Sequence, residues 1–471
     1  PALHAYGQEK AWLCINQRAL KETLPLLDAL LPKLSRHDQR CVRIAQGLAK
    51  MDVQAFEEWQ RWSLSEKKRY PWIFYHSVVH AIRSYQLSRA TDVFQQGFDL
   101  WSPELAWRLH RTLIVEHIHK KSYAAALSLA QKFQYPAASS EYFHRLFMIG
   151  FIQGTCLHQK KRAYQTFLRA RDKAQSADEK AQIYYWLGRT CAGLRFAQKA
   201  REYRNYARHY AFYFYGQVVP SPAKVQFSSL KVSHQDYQSF LKNTEIQAVS
   251  RLKFLRSSLS KPWIEAFFTK NMTASSLDYA SCVLKKAREY PKVCAAYEKM
   301  FFSVHSRKDK RHFPAELYPT ISLPCHIPAS YHPLVWAMIH EESAFNPQAR
   351  SPKNALGLMQ ITSHLPVDKM ALLDSDHNIQ RGWNILEHNI KVLHHLPLAI
   401  AAYNTGLDRV KRWLRMRPLP DSRRVSRSAF QEALIDWIEL IPFPATRHYV
   451  KNVLRKYHIY QSHPQYQGKN L

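Results

Sequence analysis

AMIHEESAFNPQARSPKNALGLMQIT, residues 337–362, starts as an apolar helix, runs into two adjacent glutamates and breaks at Asn346-Pro347. Just ahead of it, Val335, Met338 and Ile339 recur at helical spacing, and Glu342 continues their stripe. Glu341 falls about 100° further round the helix. The spacing therefore predicts that Glu342 turns toward the core while Glu341 leans outward. A carboxyl on a buried face loses hydration, which raises its pKa toward the range of a general acid. A buried glutamate satisfied by a neighbouring arginine is the competing reading at this point.

Other chemistries are poorly supported. HEESA begins as a zinc-protease helix does, but the second histidine would fall at 344, where Ala344 stands. No G-x-S-x-G nucleophile elbow occurs. The seven cysteines (14, 41, 156, 191, 282, 294 and 325) include no CxxC pair, so they read as small buried apolar residues. Acid–base chemistry by carboxylate remains, with no metal and no cofactor implied.

The rest of the 471 residues sets the frame. Such a length exceeds what one hydrophobic core usually serves. Glycine is scarce, 12 in all against a typical share of roughly 7%, which favours long helices with short connections over a turn-rich β protein. No apolar run approaches the ~18 residues of a membrane span, and the chain starts PALHAYGQEK without a basic-then-apolar leader. The net charge of +32 makes an anionic polymer the expected partner; nucleic acid, anionic glycan and lipid surface all qualify.

Up to about residue 215, apolar residues recur at helical spacing, as in Tyr164, Phe167 and Leu168 or Ile183, Trp186 and Leu187. Alanine-rich helices begin near 122, 162 and 196, an interval that a helical-hairpin solenoid would give. Either a curved binding surface or plain helix packing accounts for it. Prolines and serines in GQVVPSPAKVQFSSLKVS (216–233) read as an edge or linker. Helical patterning resumes over about 236–304, and the proline-bearing stretch 311–333 leads into the opening motif.

At this point a resemblance enters. EESAFNPQARSPKNALGLMQI resembles the glutamate-serine and Gly-Leu-Met-Gln signatures of the lytic transglycosylase catalytic domain, a goose-type-lysozyme-like fold. LLDSDHNIQRGWNIL (372–386), AIAAYNTGLDRV (399–410) and WIELIPFPATRHYVKNVL (437–454) are similar to further blocks of that family, in its order. Upstream, IYYWLGRT (183–190) and AFYFYGQVV (211–219) resemble the close of the α-superhelical domain of soluble lytic transglycosylases. KKAREYP (285–291) through FPAELYP (313–319) resembles their linker domain.

The resemblance implies an all-α chain: a ring- or U-shaped helical superhelix (1–235), a helical linker domain (236–325) and a mostly helical lysozyme-like catalytic domain (326–471). It implies a periplasmic enzyme, its export signal absent from this chain. That enzyme cleaves the bond between N-acetylmuramic acid and N-acetylglucosamine in peptidoglycan strands and leaves 1,6-anhydro ends. Glu342 matches the catalytic position, acid first and base second. Substrate-binding roles carry over to Ser351, Gln360, Thr362, Ala402, Tyr403, Asn404, Glu439 and Tyr449. Met359 is expected to fill the core, and Gly357 to let the backbone pass close to its surroundings.

Departures from the family pattern fall around the groove. Asn354 replaces a glycine, Thr362-Ser363 replace Met-Pro, and Thr405 replaces an alanine; the connection after Gln360 is short. They bear on subsite specificity more than on the acid. Other cell-wall proteins are possible further partners, and nucleic acid is not expected to be one. Two alternatives stay open. One is a muramidase that hydrolyses with water; the other is a non-catalytic scaffold that binds wall strands or a partner. A basic nucleic-acid binder has only charge behind it.

Overall fold

The computed structural model describes residues 32, 35–222, 226–228, 312–314, 318–351, 353–362 and 370–467. Among them the chain is almost entirely helical, as expected. They fall into two compact units, one within Pro1–Arg169 and Leu440–Pro444, the other within Ala170–Glu439 and Ala445–Leu471. The expected linker domain, 236–325, lies mostly outside the described residues.

The first unit is a succession of helices: α1 (Arg36–Lys50), α2 (Val53–Gln60), a short helix (Leu64–Lys68), α3 (Pro71–Arg83), α4 (Leu87–Gly97), α5 (Pro103–His119), α6 (Tyr123–Lys132), α7 (Ser140–Phe151) and α8 (Lys160–Arg171), the last reaching the unit's edge. Consecutive helices pack on one another, α3 on α4 and α5 on α6. Their turns repeat. Met51, Tyr85, Lys121 and His158 all take left-handed backbone, at intervals of 34, 36 and 37 residues. At the first three, the next amide reaches back five residues: Asp52 to Gly47, Gln86 to Ala81 and Ser122 to His117, at 2.9–3.0 Å. These are Schellman closures, which satisfy carbonyls that a helix end would leave bare. The turn at His158 follows a π-helical segment, Ile152–Cys156, and its amide bond spans six residues instead.

The regular turn geometry supports the helical-hairpin reading. It is built without glycine, although a left-handed non-glycine residue is costly. Burial between hairpins supplies the compensation, with Ile73, Phe74, Val78, Phe94, Leu113 and Ile114 all sealed from solvent. His110 illustrates the packing rules for polar groups here. Its ring nitrogens meet the Tyr135 hydroxyl at 3.0 Å and the Leu129 carbonyl at 2.9 Å, and burial pulls its pKa down to about 4, so it stays neutral.

The second unit opens with another hairpin, α9 (Ala177–Gly193) and α10 (Ala197–Arg208). Its turn residue Arg195 is left-handed, and Phe196 closes back to Cys191 at 2.9 Å. Ser176 and Glu179 form a capping box at the start of α9. A short helix (Phe214–Gln217) follows. Strand β1 (Gln226–Ser228) pairs in parallel with β2 (His312–Pro314), so part of the expected 216–233 edge is strand.

Next come α11 (His332–Ser343), the two-residue strands β3 (Ala355–Leu356) and β4 (Ile361–Thr362), and five further helices of ten or more residues. These are α12 (Ser375–Leu393), α13 (Leu396–Thr405), α14 (Leu407–Met416), α15 (Arg427–Glu439) and α16 (Pro444–Gln461). The expectation for cysteine holds for Cys41, Cys156 and Cys191, which are buried thiols, but not for Cys325, which is exposed on a non-helical segment.

Candidate active site

Helix α11 is buried from Pro333 through His340. Trp336 Nε1 donates to the Ile321 carbonyl at 2.9 Å, and His340 Nδ1 lies 3.2 Å from the Tyr460 hydroxyl, which itself donates to the Pro319 carbonyl. The helix ends where Ala344 turns left-handed. Its last turn therefore emerges from the core at a fixed angle, carrying Glu341 and Glu342.

Glu342 is half-buried, and its Oε1 accepts from the Tyr449 hydroxyl of α16 at 2.6 Å. Burial pushes its pKa up to about 7, the Tyr449 hydrogen bond opposes the rise, and the charge of Glu341 adds to it. Burial wins because it penalises the charged form more than one hydrogen bond rewards it. Such a group is divided between acid and carboxylate near neutral pH, so it can both give up and take back a proton. Tyr449→Phe deletes a bond that favours the carboxylate, so the pKa must climb further. The alkaline limb of the pH–rate profile, set by loss of the acid form near pH 7, should move up by about one pH unit.

Glu341 does not lean outward as helical spacing predicts. Its Oε1 accepts from Asn452 Nδ2 at 3.0 Å and its Oε2 from Lys456 Nζ at 2.7 Å; the two side chains are 18% and 6% exposed. The projection places Glu341 correctly around α11, but α16 lies along that flank too. Tyr449, Asn452 and Lys456, spaced three and four apart, form one face of α16 that meets both carboxylates. A pairwise reading of that spacing in WIELIPFPATRHYVKNVLRK would have found the face. The partner of the buried acid is a lysine for Glu341, not an arginine for Glu342.

The turn after α11 is built on backbone contacts. Ser351 Oγ accepts from the amides of Lys353 (3.2 Å) and Ala355 (3.0 Å), and Asn354 is left-handed. Gln360 Nε2 donates to the carbonyls of Gly357 (2.9 Å) and Ala349 (3.2 Å). Asn378, which sequence reading did not single out, is the hub. Its amide donates to the carbonyls of Leu356 and Leu372, and its Oδ1 accepts from Met359 N at 2.7 Å. Tyr403 Oη donates to the Met359 carbonyl at 2.8 Å. Burial and the nearby Glu342 charge keep the Tyr403 phenol protonated. Met359 itself is fully buried, as expected of a core residue.

Gly357 is left-handed at φ 76°, and a Cβ there would lie 2.3 Å from Asn378 Nδ2 and 2.5 Å from the Leu372 carbonyl. Gly357→Ala should therefore displace the hub and cost about 1–3 kcal/mol in chemical denaturation.

The remaining sequence-predicted residues are dispersed. Ala402 is buried in α13, Thr362 is exposed on β4, and Asn404 accepts from Thr446 Oγ1 at 2.7 Å. Glu439 is 2% exposed and bound by Lys451 Nζ and the Tyr215 hydroxyl. Among the described residues, no group of three His, Cys, Asp or Glu side chains is placed to hold a metal ion. None of their helices is long and apolar enough to cross a membrane.

The site is thus a half-buried acid at the end of a core helix, held by Tyr449, with a backbone-tied turn following it in the chain. Residues 327–424 match the family model described as the transglycosylase SLT domain. The chain is 36% identical over 141 residues to the soluble lytic murein transglycosylase of Escherichia coli K12, and 35% identical over 140 residues to that of Salmonella typhimurium. Each match covers 27% of this chain and 20% of the relative, so the chain aligns with about a fifth of the length of these curated relatives. The fold is shared more widely. An inactive mutant of the lytic transglycosylase Slt of Pseudomonas aeruginosa superposes with a TM-score of 0.59 at 19% identity, over 98% of this chain and 73% of that one.

Proposed function

We propose that the protein is a peptidoglycan lytic transglycosylase in which Glu342 acts alone, as acid and then as base. The observation that carries this reading is the half-buried Glu342, bonded to Tyr449 and pushed up in pKa by burial, in the segment that matches the SLT domain model, beside a second carboxylate paired with Lys456. In the first step the Glu342 proton passes to the glycosidic oxygen between N-acetylmuramic acid and N-acetylglucosamine. The bond to the anomeric carbon breaks, and the sugar's own 2-acetamido group stabilises the positive charge left there. In the second step the Glu342 carboxylate takes the proton of the muramoyl 6-hydroxyl. That oxygen closes on the anomeric carbon, giving the 1,6-anhydro ring.

Tyr449 supports both states, since its hydroxyl steadies the carboxylate formed midway. Gln360 and Tyr403 brace the turn opposite the acid, and Ser351, Thr362, Ala402, Asn404 and Glu439 are assigned to the groove on the family pattern. The basic surface holds a wall polymer whose lactyl and peptide carboxylates are negative. A periplasmic location follows from the proposed substrate.

Mass spectrometry of digested sacculi tests the reading. Cyclisation gives muropeptides one water lighter than hydrolysis and without a reducing end. Reducing muramic ends throughout would make the protein a muramidase, and no soluble products at all would leave it a scaffold.

A further inference from the structure

Within the second unit a cleft of about 510 Å³ opens between α9, α10, the segment 217–222, α15 and α16, lined by none of the residues assigned above to catalysis or glycan binding. Its volume is that of a pocket for a small ligand, in the range of roughly 300–1,000 Å³. Three arginines line it, Arg189 from α9, Arg204 from α10 and Arg427 from α15; the Glu432 carboxylate is in the same lining, and Asp436 lies beside Arg189.

The charges are not equivalent. Arg189 is committed: its Nε meets Glu432 at 3.0 Å, and its Nη2 meets Asp436 at 2.9 Å. Arg204 and Arg427 have no carboxylate or hydrogen-bond partner among the described residues. Both line the cleft without a carboxylate of their own, and an entering anion supplies one. Guanidinium forks match a carboxylate geometrically, and the Ser428 hydroxyl and the Gln431 amide add neutral donors on the same wall.

We propose that this cleft binds a small ligand through its carboxylates. The chemistry is shared by acidic wall peptides and by free polyacids. Assignment to wall peptide rests on the reading of the protein as a peptidoglycan enzyme; carboxylate binding does not.

Calorimetry on the Glu342→Gln protein, which removes turnover from the measurement, tests it at 0.15 M salt. The probes are a synthetic blocked peptide, Ala-Glu-Glu-Ala, its Ala-Gln-Gln-Ala counterpart, and citrate. The acidic peptide is expected to bind with a sub-millimolar Kd, at least tenfold tighter than the glutamine peptide. Arg204→Gln combined with Arg427→Gln should weaken it at least tenfold. Glutamine keeps the Cβ–Cγ stem of Arg204, which packs over Gly188. Should the pair fail to fold, Arg427→Gln alone, at an exposed position, must still weaken binding at least threefold.

Tight citrate binding with a silent peptide supports the cleft and assigns it to free polyacids. Acidic ligands binding native and arginine-depleted proteins within threefold of each other would overturn the proposal. Because the readout is binding, an inactive native protein would count against the enzymatic reading and leave this result standing.

Discussion

Glu342→Gln is expected to lower the release of soluble muropeptides from labelled sacculi by about 10³-fold, while pelleting with sacculi stays within twofold. General acid–base catalysis contributes about 10²–10⁴-fold, and one group serving both proton transfers belongs in the upper part of that range. Glutamine keeps the shape, and its carbonyl can still accept from Tyr449, so the fold should survive. Stability provides an independent check. The Glu342 pKa is raised from 4.5 to about 7 in the folded chain, so the folded state holds the proton more tightly than the unfolded state does. Stability from this group is therefore full below pH 4.5 and is lost as pH rises toward 7. The glutamine variant should melt higher than the native protein above pH 7, and the gap should close below pH 4.5. A variant that keeps more than a tenth of the native rate would remove Glu342 from the mechanism.

Lys456→Met should destabilise the second unit by about 3–5 kcal/mol, because it strips the cation from a carboxylate that is only 18% exposed. The loss is not confined to stability. Glu341 already raises the Glu342 pKa by its charge, and without Lys456 that charge acts at full strength. The alkaline limb of the rate profile should shift upward in parallel with the loss in denaturant midpoint. Adding Glu341→Gln removes the stranded charge while Asn452 keeps a partner at 3.0 Å. The double variant should recover most of the stability and return the limb toward its native position. Equal losses in the single and double variants would show that Lys456 contributes packing alone.

Much of this was legible in the sequence because it is local. The stripe of Val335, Met338 and Ile339 predicts the burial of α11, and the Gly357-to-Gln360 signature marks the turn that follows it. The left-handed Asn354 and the buried Met359 are matters of short-range geometry. The repeat period was weaker in the sequence because its regularity lies in backbone shape. Met51, Tyr85, Lys121 and His158 share a conformation and no side-chain chemistry.

What escaped is long-range. Glu341 and Lys456 are 115 residues apart, and helical projection of either segment cannot show that they meet. Asn378 escaped for the same reason: an asparagine in a helix reads as solvated until three backbone groups from two other segments converge on it.

The anchoring face of α16 also sets a length rule. A helix turns about 100° per residue, so one residue inserted between Tyr449 and Asn452 would swing Asn452 and Lys456 away from Glu341 while Tyr449 stayed in place. Helical content would hardly change, yet the acid would sit beside a stranded charge. Indels inside that eight-residue window should therefore be purged from kindred chains.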